Sequence, residues 1–259
     1  MVFYINERRV SIKKVAFFGN VRYNNPKGGA DMDINGIQKL TLLDYPGHCA
    51  CTVFLAGCNL RCPFCHNSPL VLDAPETAMR EEEFFKFLST RKGLLDGVCV
   101  TGGEPLMRKD IALFLKKIKD AGFKVKLDTN GCFPHMLEEV VSKGLVDYIA
   151  MDIKNSPEKY SLTCGREVNV RDIEKSIEII EKSGVDHEFR TTCVKDFHTE
   201  ESIYSAALML DESSKYFLQG FINSGALIDG SCKGFTKEEM EKLLAAARKR
   251  LPNACLRGV

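Results

Sequence analysis

The alternation of short β-rich runs with amphipathic helical patterns, which begins near residue 50, is the feature that most constrains the fold of this chain. Strands that are joined by helices in this way build a parallel sheet. Six such strands with their helices predict an α/β protein, and more specifically a partial (β/α)6 barrel of the TIM type. The six candidate strands are residues 51–56, 97–101, 124–129, 147–153, 187–194 and 215–221.

The ends of several helices are also predicted by the sequence. Thr199 and Thr236 are of the residue type that caps the start of a helix, and Glu239 completes a capping box with Thr236. Pro134 opens another helix, and Gly122 ends the one that precedes it. Apolar residues at helical spacing give these helices one buried face, which includes Ile111, Phe114, Leu115, Ile118, Leu137, Val140, Val141, Ile173, Ile177 and Ile180.

The balance of charge disfavours polyanionic partners. The chain has 36 Lys and Arg residues against 35 Asp and Glu residues, so no excess of positive charge would drive binding to nucleic acid or to an anionic membrane. The apolar runs are short, and Glu7, Arg8 and Arg9 interrupt the region where a signal peptide would need continuous apolar sequence. We therefore expect a cytoplasmic protein with neither nucleic acid nor membrane as a partner.

The first part of the chain does not join the βα pattern. We expect residues 1–31 to be an N-terminal extension of unclear role, and residues 32–259 to form one domain. Because Met32 immediately precedes the recognisable region, residues 1–31 are interpreted as a gene-model extension or a loose arm.

Three of the eleven cysteines are spaced as metal ligands. Cys58, Cys62 and Cys65 form a C-x3-C-x2-C run directly after the first candidate strand. A cubane iron–sulfur cluster usually takes four cysteine ligands, so a loop that offers three leaves one iron open for an exogenous ligand. The alternative is a zinc site of three cysteines and one histidine, with His66 as the fourth ligand.

Polar residues follow the next strands at the end where a barrel carries its active site. Gly102 and Gly103 let the backbone approach a ligand closely, and Glu104 beside them could hold an ammonium group, although an ordinary turn also uses such residues. Asp128 and Asp152 would concentrate negative charge, which predicts a hard cation or a cationic ligand unless a neighbouring lysine offsets it.

Arg190 and Gln219 occupy the fifth and sixth candidate strands. A charged or amide group that points into a barrel is costly unless it is paired. A ligand contact and an internal ion pair are therefore equally good interpretations of Arg190, and the role of Gln219 stays open.

The cysteine spacing, together with the Gly102-Gly103-Glu104 turn one βα unit later, resembles the radical S-adenosylmethionine (SAM) superfamily. The resemblance implies a [4Fe–4S] cluster on Cys58, Cys62 and Cys65, with SAM bound to the open iron. It also implies that an electron from the cluster cleaves SAM to a 5′-deoxyadenosyl radical. The residues that this resemblance assigns to cofactor binding are Phe64, His66, Asn67, Gly102, Gly103, Glu104, Asp152, Lys154, Arg190 and Gln219.

A finer resemblance is to the activases of glycyl radical enzymes. Phe54-x2-Gly57-Cys58 and the Asp44-Tyr45-Pro46-Gly47 loop are similar to the segments that surround the cluster motif in those activases. The resemblance implies that the substrate is a glycine Cα–H on a partner enzyme and that Asp44 contacts this partner. It also implies a flavodoxin- or ferredoxin-type electron donor. A monovalent cation is implied at Asp128, Thr129, Ala150 and Asp152.

Within the activases, the segments at residues 43–47, 127–131, 150–154 and 188–192 resemble the anaerobic ribonucleoside-triphosphate reductase activating proteins. That resemblance predicts the reductase as the partner. Pyruvate formate-lyase activase is the nearest alternative. A second alternative is a radical SAM enzyme that acts on a small molecule, such as a 7-carboxy-7-deazaguanine synthase.

Overall fold

The computed structural model describes residues 31–73 and 75–259. The prediction that residues 1–31 form an extension of unclear role falls outside this part of the chain, apart from Asp31. Within the described ranges, no helix combines the length and the apolar character that crossing a membrane requires.

The strands form one large sheet and one small one. Eight strands are ordered β10-β9-β8-β7-β6-β5-β3-β2, and β1 pairs with β4 in a two-stranded antiparallel sheet. All neighbours in the large sheet are parallel except β2, which runs antiparallel to β3. The strands are β1 (Asp33–Ile34), β2 (Gly36–Thr41), β3 (Ala50–Leu55), β4 (Met79–Arg80), β5 (Gly97–Gly102), β6 (Lys124–Thr129), β7 (Tyr148–Asp152), β8 (Asp186–Cys193), β9 (Tyr216–Gly220) and β10 (Cys255–Arg257).

The helices connect consecutive parallel strands, as the sequence predicts. Thr199 and Thr236 both accept the capping hydrogen bond, so the two predicted helix starts are confirmed. The α-helices are α1 (Ser68–Leu72), α2 (Glu81–Ser89), α3 (Ile111–Asp120), α4 (Pro134–Ser142), α5 (Tyr160–Cys164), α6 (Val170–Lys182), α7 (Glu200–Ala207) and α8 (Lys237–Arg248).

The α/β class and the partial barrel are confirmed, and the six predicted strands correspond to β3, β5, β6, β7, β8 and β9. The sheet has two further edge strands, β2 and β10. Strand β10 has only three residues, which is too short for a periodic pattern to appear in the sequence. A cavity lies between the loop that follows β2 and the strands β9 and β10.

The two faces of the sheet differ in chemistry. Side chains alternate along a strand, so Val125 and Leu127 of β6 point to the helices and are fully buried in the apolar core. Lys126 and Asp128, between and beside them, point to the opposite face and are also buried. The inner face of the partial barrel is therefore polar, and its buried charges must be satisfied by one another or by ligands.

Candidate active site

The three predicted ligand cysteines lie on the loop that connects β3 to α1. Cys58, Cys62 and Cys65 line one cavity at the carboxyl ends of the parallel strands, which we call the thiol cavity. The loop is held from within, because Cys65 N donates to Cys62 O (3.0 Å). In addition, the Arg61 guanidinium donates to the carbonyl oxygens of Cys58 and Leu60 (2.7 and 2.8 Å). The structure therefore brings the three thiols to the same cavity.

The three thiols differ in how readily they lose a proton. A hydrogen bond from the thiol of Cys164 lowers the pKa of Cys62 to about 7, and the Lys154 ammonium acts in the same direction. Burial instead raises the pKa of Cys58 to about 12 and raises that of Cys65. Metal ligation requires the thiolate. The Lys154 ammonium and the Cys164 thiol therefore favour the thiolate form of Cys62 that ligation requires.

The donor set of the thiol cavity suits a cluster. His66, the fourth ligand in the zinc alternative, also lines the cavity, but its Nε2 lies 2.7 Å from the carbonyl oxygen of Ile222. A carbonyl only accepts, so this nitrogen carries the hydrogen and has no lone pair for a metal. No set of three or more His, Cys, Asp or Glu side chains in residues 31–73 and 75–259 is arranged to hold a single metal ion. Three thiols around an open cavity fit a [4Fe–4S] cluster with one free iron.

Gly102 at the end of β5 and Gly103 directly after it are required by the close packing of the cysteine loop. Gly103 N donates to Leu55 O (2.7 Å), and Glu104 N donates to Gly57 O (2.8 Å). A Cβ atom on Gly103 would lie 1.9 Å from the Gly57 carbonyl oxygen, and one on Gly102, whose φ is +120°, would lie 2.4 Å from that of Leu55. The glycines line the thiol cavity, but their lack of a side chain serves the close packing of backbone on backbone.

Glu104 lies behind the wall of the thiol cavity. Its carboxylate accepts hydrogen bonds from Leu106 N (3.0 Å), Thr129 Oγ1 (2.8 Å) and Asn130 N (2.6 Å), and the residue is only 1% exposed. Burial raises the pKa of Glu104 to about 7, although these hydrogen bonds act in the opposite direction. Glu104 therefore joins the end of β5 to the end of β6, and its predicted contact with an ammonium group of SAM stays a prediction.

The two aspartates at the strand ends are neutralised by cations of the protein. Arg190 donates to Asp152 Oδ1 through Nε (2.9 Å) and to Asp128 Oδ2 through Nη1 (3.4 Å). Lys154 pairs with Asp152 Oδ2 (3.0 Å), and Lys126 pairs with Asp128. Although burial alone would raise the pKa of each aspartate, these cations hold both pKa values below the ordinary range. Both carboxylates are therefore ionised.

The predicted monovalent-cation site is only partly assembled at the thiol cavity. Asp128, Thr129 and Asp152 line the cavity, but Ala150 does not, since it is buried in a small apolar cluster with Tyr45 and Tyr148. The aspartate charges already have partners in the protein, so the need for a bound cation that the sequence indicates is met internally. Cation binding here stays a prediction.

Two predicted site residues lie at a second cavity. Asp44 and Gln219 line the space between the two edges of the sheet, which we call the seam cavity. It is bounded by the loop after β2 on one side and by β9 and β10 on the other. Arg190 lines both cavities and so connects them. The remaining residues of the seam cavity are Leu42, Leu43, Pro46, Lys126, Glu188, Gly220, Arg257 and Gly258.

Comparison with known proteins identifies the family of this chain. The family model of the radical SAM superfamily matches residues 52–209, which include the three thiols and every strand from β5 to β8. The chain belongs to the radical SAM superfamily. That family implies a [4Fe–4S] cluster and SAM as its cofactors, and it agrees with the donor set of the thiol cavity.

The relatives of this radical SAM protein show to which group within the superfamily it belongs. A protein of Methanocaldococcus jannaschii, provisionally named a glycyl-radical enzyme activating enzyme, is 33% identical over 234 residues, which cover 87% of this chain and 96% of the relative. The pyruvate formate-lyase-activating enzyme of Clostridium pasteurianum is 33% identical over 127 residues, but this match covers only 47% of this chain and 52% of that enzyme. The radical SAM protein is therefore an enzyme of the glycyl-radical enzyme activating family.

Solved structures support the fold. A structure of Streptococcus suis SuiB bound to S-adenosylmethionine matches 80% of this chain and 52% of that chain with a TM-score of 0.60 and 14% identity. A domain of the pyruvate-formate lyase-activating enzyme from Bacteroides vulgatus matches 62% of this chain and 99% of that domain, with a TM-score of 0.51 and 19% identity. At these identities the likeness concerns the fold alone.

Several residues around the thiols of this radical SAM protein are absent from the predicted site residues. Asn130 donates through Nδ2 to Asn59 Oδ1 (2.8 Å) and lies 3.8 Å from Cys58 Sγ. The sequence did carry a signal that Asn130 belongs to the site, because this residue directly follows Asp128 and Thr129. Cys164, at the end of α5, contacts Cys62. The sequence carried no signal for this contact, because the two cysteines are far apart in the chain and Cys164 reads as a small buried hydrophobe.

The predicted site residues thus lie at the thiol cavity, at the seam cavity or outside both. Glu104, Ala150, Asp44 and Gln219 do not line the thiol cavity. The predicted residues that do line it are Cys58, Cys62, Cys65, Phe64, His66, Asn67, Gly102, Gly103, Asp128, Thr129, Asp152, Lys154 and Arg190.

Proposed function

We propose that this enzyme activates anaerobic ribonucleoside-triphosphate reductase by generating a glycyl radical on it, with a flavodoxin- or ferredoxin-type protein as the electron donor. The observation that carries the proposal is the set of three thiols at one cavity, joined through Arg190 to a second cavity that carries Asp44. One cavity suits the cofactors, and the other suits a segment of the partner.

In this proposal Cys58, Cys62 and Cys65 hold the cluster, and the residues at the strand ends orient SAM. When bound, the two cofactors supply the chemistry: one electron splits SAM into methionine and a 5′-deoxyadenosyl group, which removes the glycine α-hydrogen to leave 5′-deoxyadenosine and a glycyl radical. Lys154, whose pKa is raised by Asp152 and other negative groups although burial acts against this, stays an ammonium ion. It can therefore bind the SAM carboxylate.

Two residues of the thiol cavity hold the cysteine loop in place and could in this way help to orient SAM. Asn67 donates through Nδ2 to Gly102 O (2.8 Å), which ties the end of the cysteine loop to the end of β5. Phe64, which is buried, packs its ring against Phe197 and Phe221, and these contacts help to hold the loop against the strand ends. This rigidity favours a fixed distance between the cluster and the sulfonium.

The choice of the reductase as partner is supported by the sequence segments that resemble reductase activases, including Asp44-Tyr45-Pro46-Gly47 and the strand-end motifs. The test is to incubate the reconstituted enzyme anaerobically with SAM, a reductant and the reductase of the same organism. A glycyl doublet in electron paramagnetic resonance is expected, since one α-hydrogen remains on the radical carbon. No doublet with the reductase would contradict the proposal.

Pyruvate formate-lyase is the second candidate partner, favoured by the half-length similarity to the pyruvate formate-lyase-activating enzyme of Clostridium pasteurianum. The same experiment with pyruvate formate-lyase in place of the reductase separates the two. A doublet on pyruvate formate-lyase alone would reassign the partner and leave the activase chemistry in place.

A further inference from the structure

Asn130 carries a side-chain amide that faces one of the three thiols. The residue directly follows β6 and is only 6% exposed. Its Nδ2 donates to Asn59 Oδ1 (2.8 Å) and to Cys58 Sγ (3.8 Å). The resemblance to the activases assigns Asp128 and Thr129 to a cation but gives Asn130 no role. The amide of Asn130 therefore joins the loop after β6 to a predicted iron ligand.

The orientation of this amide is fixed by the main chain around it. Asn130 Oδ1 accepts from Cys132 N (3.0 Å), and because a main-chain N–H can only donate, this contact identifies the oxygen of the amide. The main chain of Asn130 is held as well, since its N donates to Glu104 Oε2 (2.6 Å). The NH2 group is therefore the side of the amide that faces Cys58.

The sulfur of Cys58 receives two N–H donors of different kinds. One is the main-chain N of Leu60, which lies 3.4 Å from Cys58 Sγ, and the other is the Asn130 amide. When iron replaces the thiol proton, the sulfur becomes a thiolate, which can only accept. Hydrogen bonds to a charged acceptor in a buried place are stronger than those between neutral groups. A substitution at Leu60 would keep its main-chain donor, so Asn130 is the donor that a substitution can remove.

We infer that Asn130 is a positioning residue that raises the reduction potential of the [4Fe–4S] cluster through its hydrogen bond to Cys58 Sγ. An added electron makes the cluster and its sulfur ligands more negative, so an N–H donor stabilises the reduced state more than the oxidised state. The electron donor can then reduce the cluster more readily. The inference rests on the cluster that the proposed function places at the three thiols, and it does not depend on which enzyme is the partner.

The variant Asn130→Leu tests the inference, because leucine has a similar size and no N–H donor. The ratio of reduced to oxidised cluster is measured in the reconstituted holoenzyme without SAM, by electron paramagnetic resonance at a series of fixed potentials. At a given potential we expect this ratio to fall about tenfold, which is a shift of about 59 mV to lower potential for one electron. Asn130→Asp keeps an oxygen for Cys132 N but replaces the donor by a negative charge, so the potential should fall further.

Asn169→Leu is the matched control. Asn169 Oδ1 also accepts from the main-chain N two residues later, that of Arg171 (3.3 Å), and its Nδ2 also donates to a side chain, that of Asp172 (3.1 Å). The residue lines neither the thiol cavity nor the seam cavity. The cluster potential of Asn169→Leu should equal that of the wild type.

The outcomes separate this inference from the proposed function. If the wild type and both Asn130 variants bind the cluster with the same potential, the inference is wrong and the proposed function stands. If Asn130→Leu binds no iron, the potential of Asn130→Asp against that of the wild type decides. Failure of both variants to bind iron would show that Asn130 serves cluster assembly instead, and it would overturn the inference. If the wild type forms no [4Fe–4S] cluster, the proposed function fails first, and the inference fails with it.

Discussion

The thiol cavity and the seam cavity are built on the same polar face of one sheet, yet they differ in what they leave unsatisfied. At the thiol cavity the carboxylates are ionised and paired with cations of the protein, and the groups that remain available to bind a metal cluster are the thiols. At the seam cavity the charges are also mostly paired, but Oδ1 of Asp44 has no partner among the described residues, and Leu42 and Leu43 are exposed. This difference is what we expect if, as proposed, the cofactors bind at the first cavity and the partner enzyme at the second.

Arg190 is the only residue that lines both cavities within residues 31–73 and 75–259. Variants that affect one cavity alone should therefore separate SAM cleavage from partner recognition, whereas Arg190 should affect both.

The largest effect is expected at the thiol cavity, from Cys62→Ser. It removes the thiol with the lowered pKa, so the anaerobically reconstituted variant should lose most of its iron and all detectable 5′-deoxyadenosine formation. Iron analysis measures the bound iron, and chromatography of the products measures the 5′-deoxyadenosine. Cys255→Ser, which alters an exposed cysteine outside both cavities, is the control. Full iron and turnover in Cys62→Ser would break the assignment of the thiol cavity to the cluster.

At the junction of the cavities, Arg190→Met should destabilise the fold. It removes one of the two cations that pair with Asp128 and one of the two that pair with Asp152, which costs up to about 3–5 kcal/mol in the free energy of unfolding. Urea denaturation of the apoprotein measures this. Arg190→Lys, which keeps the charge but not the forked geometry, should lose less. Equal stability of Arg190→Met and wild type would show that the aspartates do not depend on Arg190.

Behind the thiol cavity, Glu104 should make stability depend on pH. Because burial raises its pKa from 4.5 to about 7, the folded state holds this proton more tightly than the unfolded chain does. The associated stability is present below pH 4.5 and is lost as the pH rises through about 7. Relative to Glu104→Gln, the wild type should therefore lose on the order of 3 kcal/mol across this window. Urea denaturation at each pH measures it, and parallel curves for the two proteins would contradict it.

At the seam cavity, Asp44→Asn should change recognition alone. The KM for the reductase should rise about tenfold, because an acceptor for the partner's N–H groups is lost. Cleavage of SAM without the reductase should be unaffected. Asp33→Asn is the matched control, since this carboxylate also accepts a threonine hydroxyl but lies outside both cavities. A fall in SAM cleavage with Asp44→Asn would show that Asp44 also acts in the cleavage of SAM, and it would contradict the division of functions between the two cavities.

Much of the fold could be predicted because its signals are local. Hydrophobic periodicity and helix caps such as Thr199 and Thr236 predicted six parallel strands and their helices. The edge strands β2 and β10 could not be predicted this way. Their pairing is decided by contacts between distant parts of the chain, and Cys255–Arg257 is too short to show a period.

The candidate site was predictable where its residues are contiguous in sequence. The cysteine spacing led to the thiol cavity, which Gly102 and Gly103 also line, but the close packing of these glycines on the backbone of Leu55 and Gly57 joins distant parts of the chain and has no local signal in the sequence. The separation of Gln219 from the thiol cavity could not be foreseen, because strand alternation predicts which face a side chain takes but not which cavity it reaches.

The most direct test of the whole account follows one hydrogen atom. The reductase is prepared with α-deuterated glycine and incubated anaerobically with the reconstituted enzyme, reductant and SAM. Mass spectrometry of the 5′-deoxyadenosine should then show one deuterium gained in step with the glycyl radical. Deoxyadenosine that forms together with the radical but carries no deuterium from the partner would contradict direct abstraction from a glycine held between the two cavities.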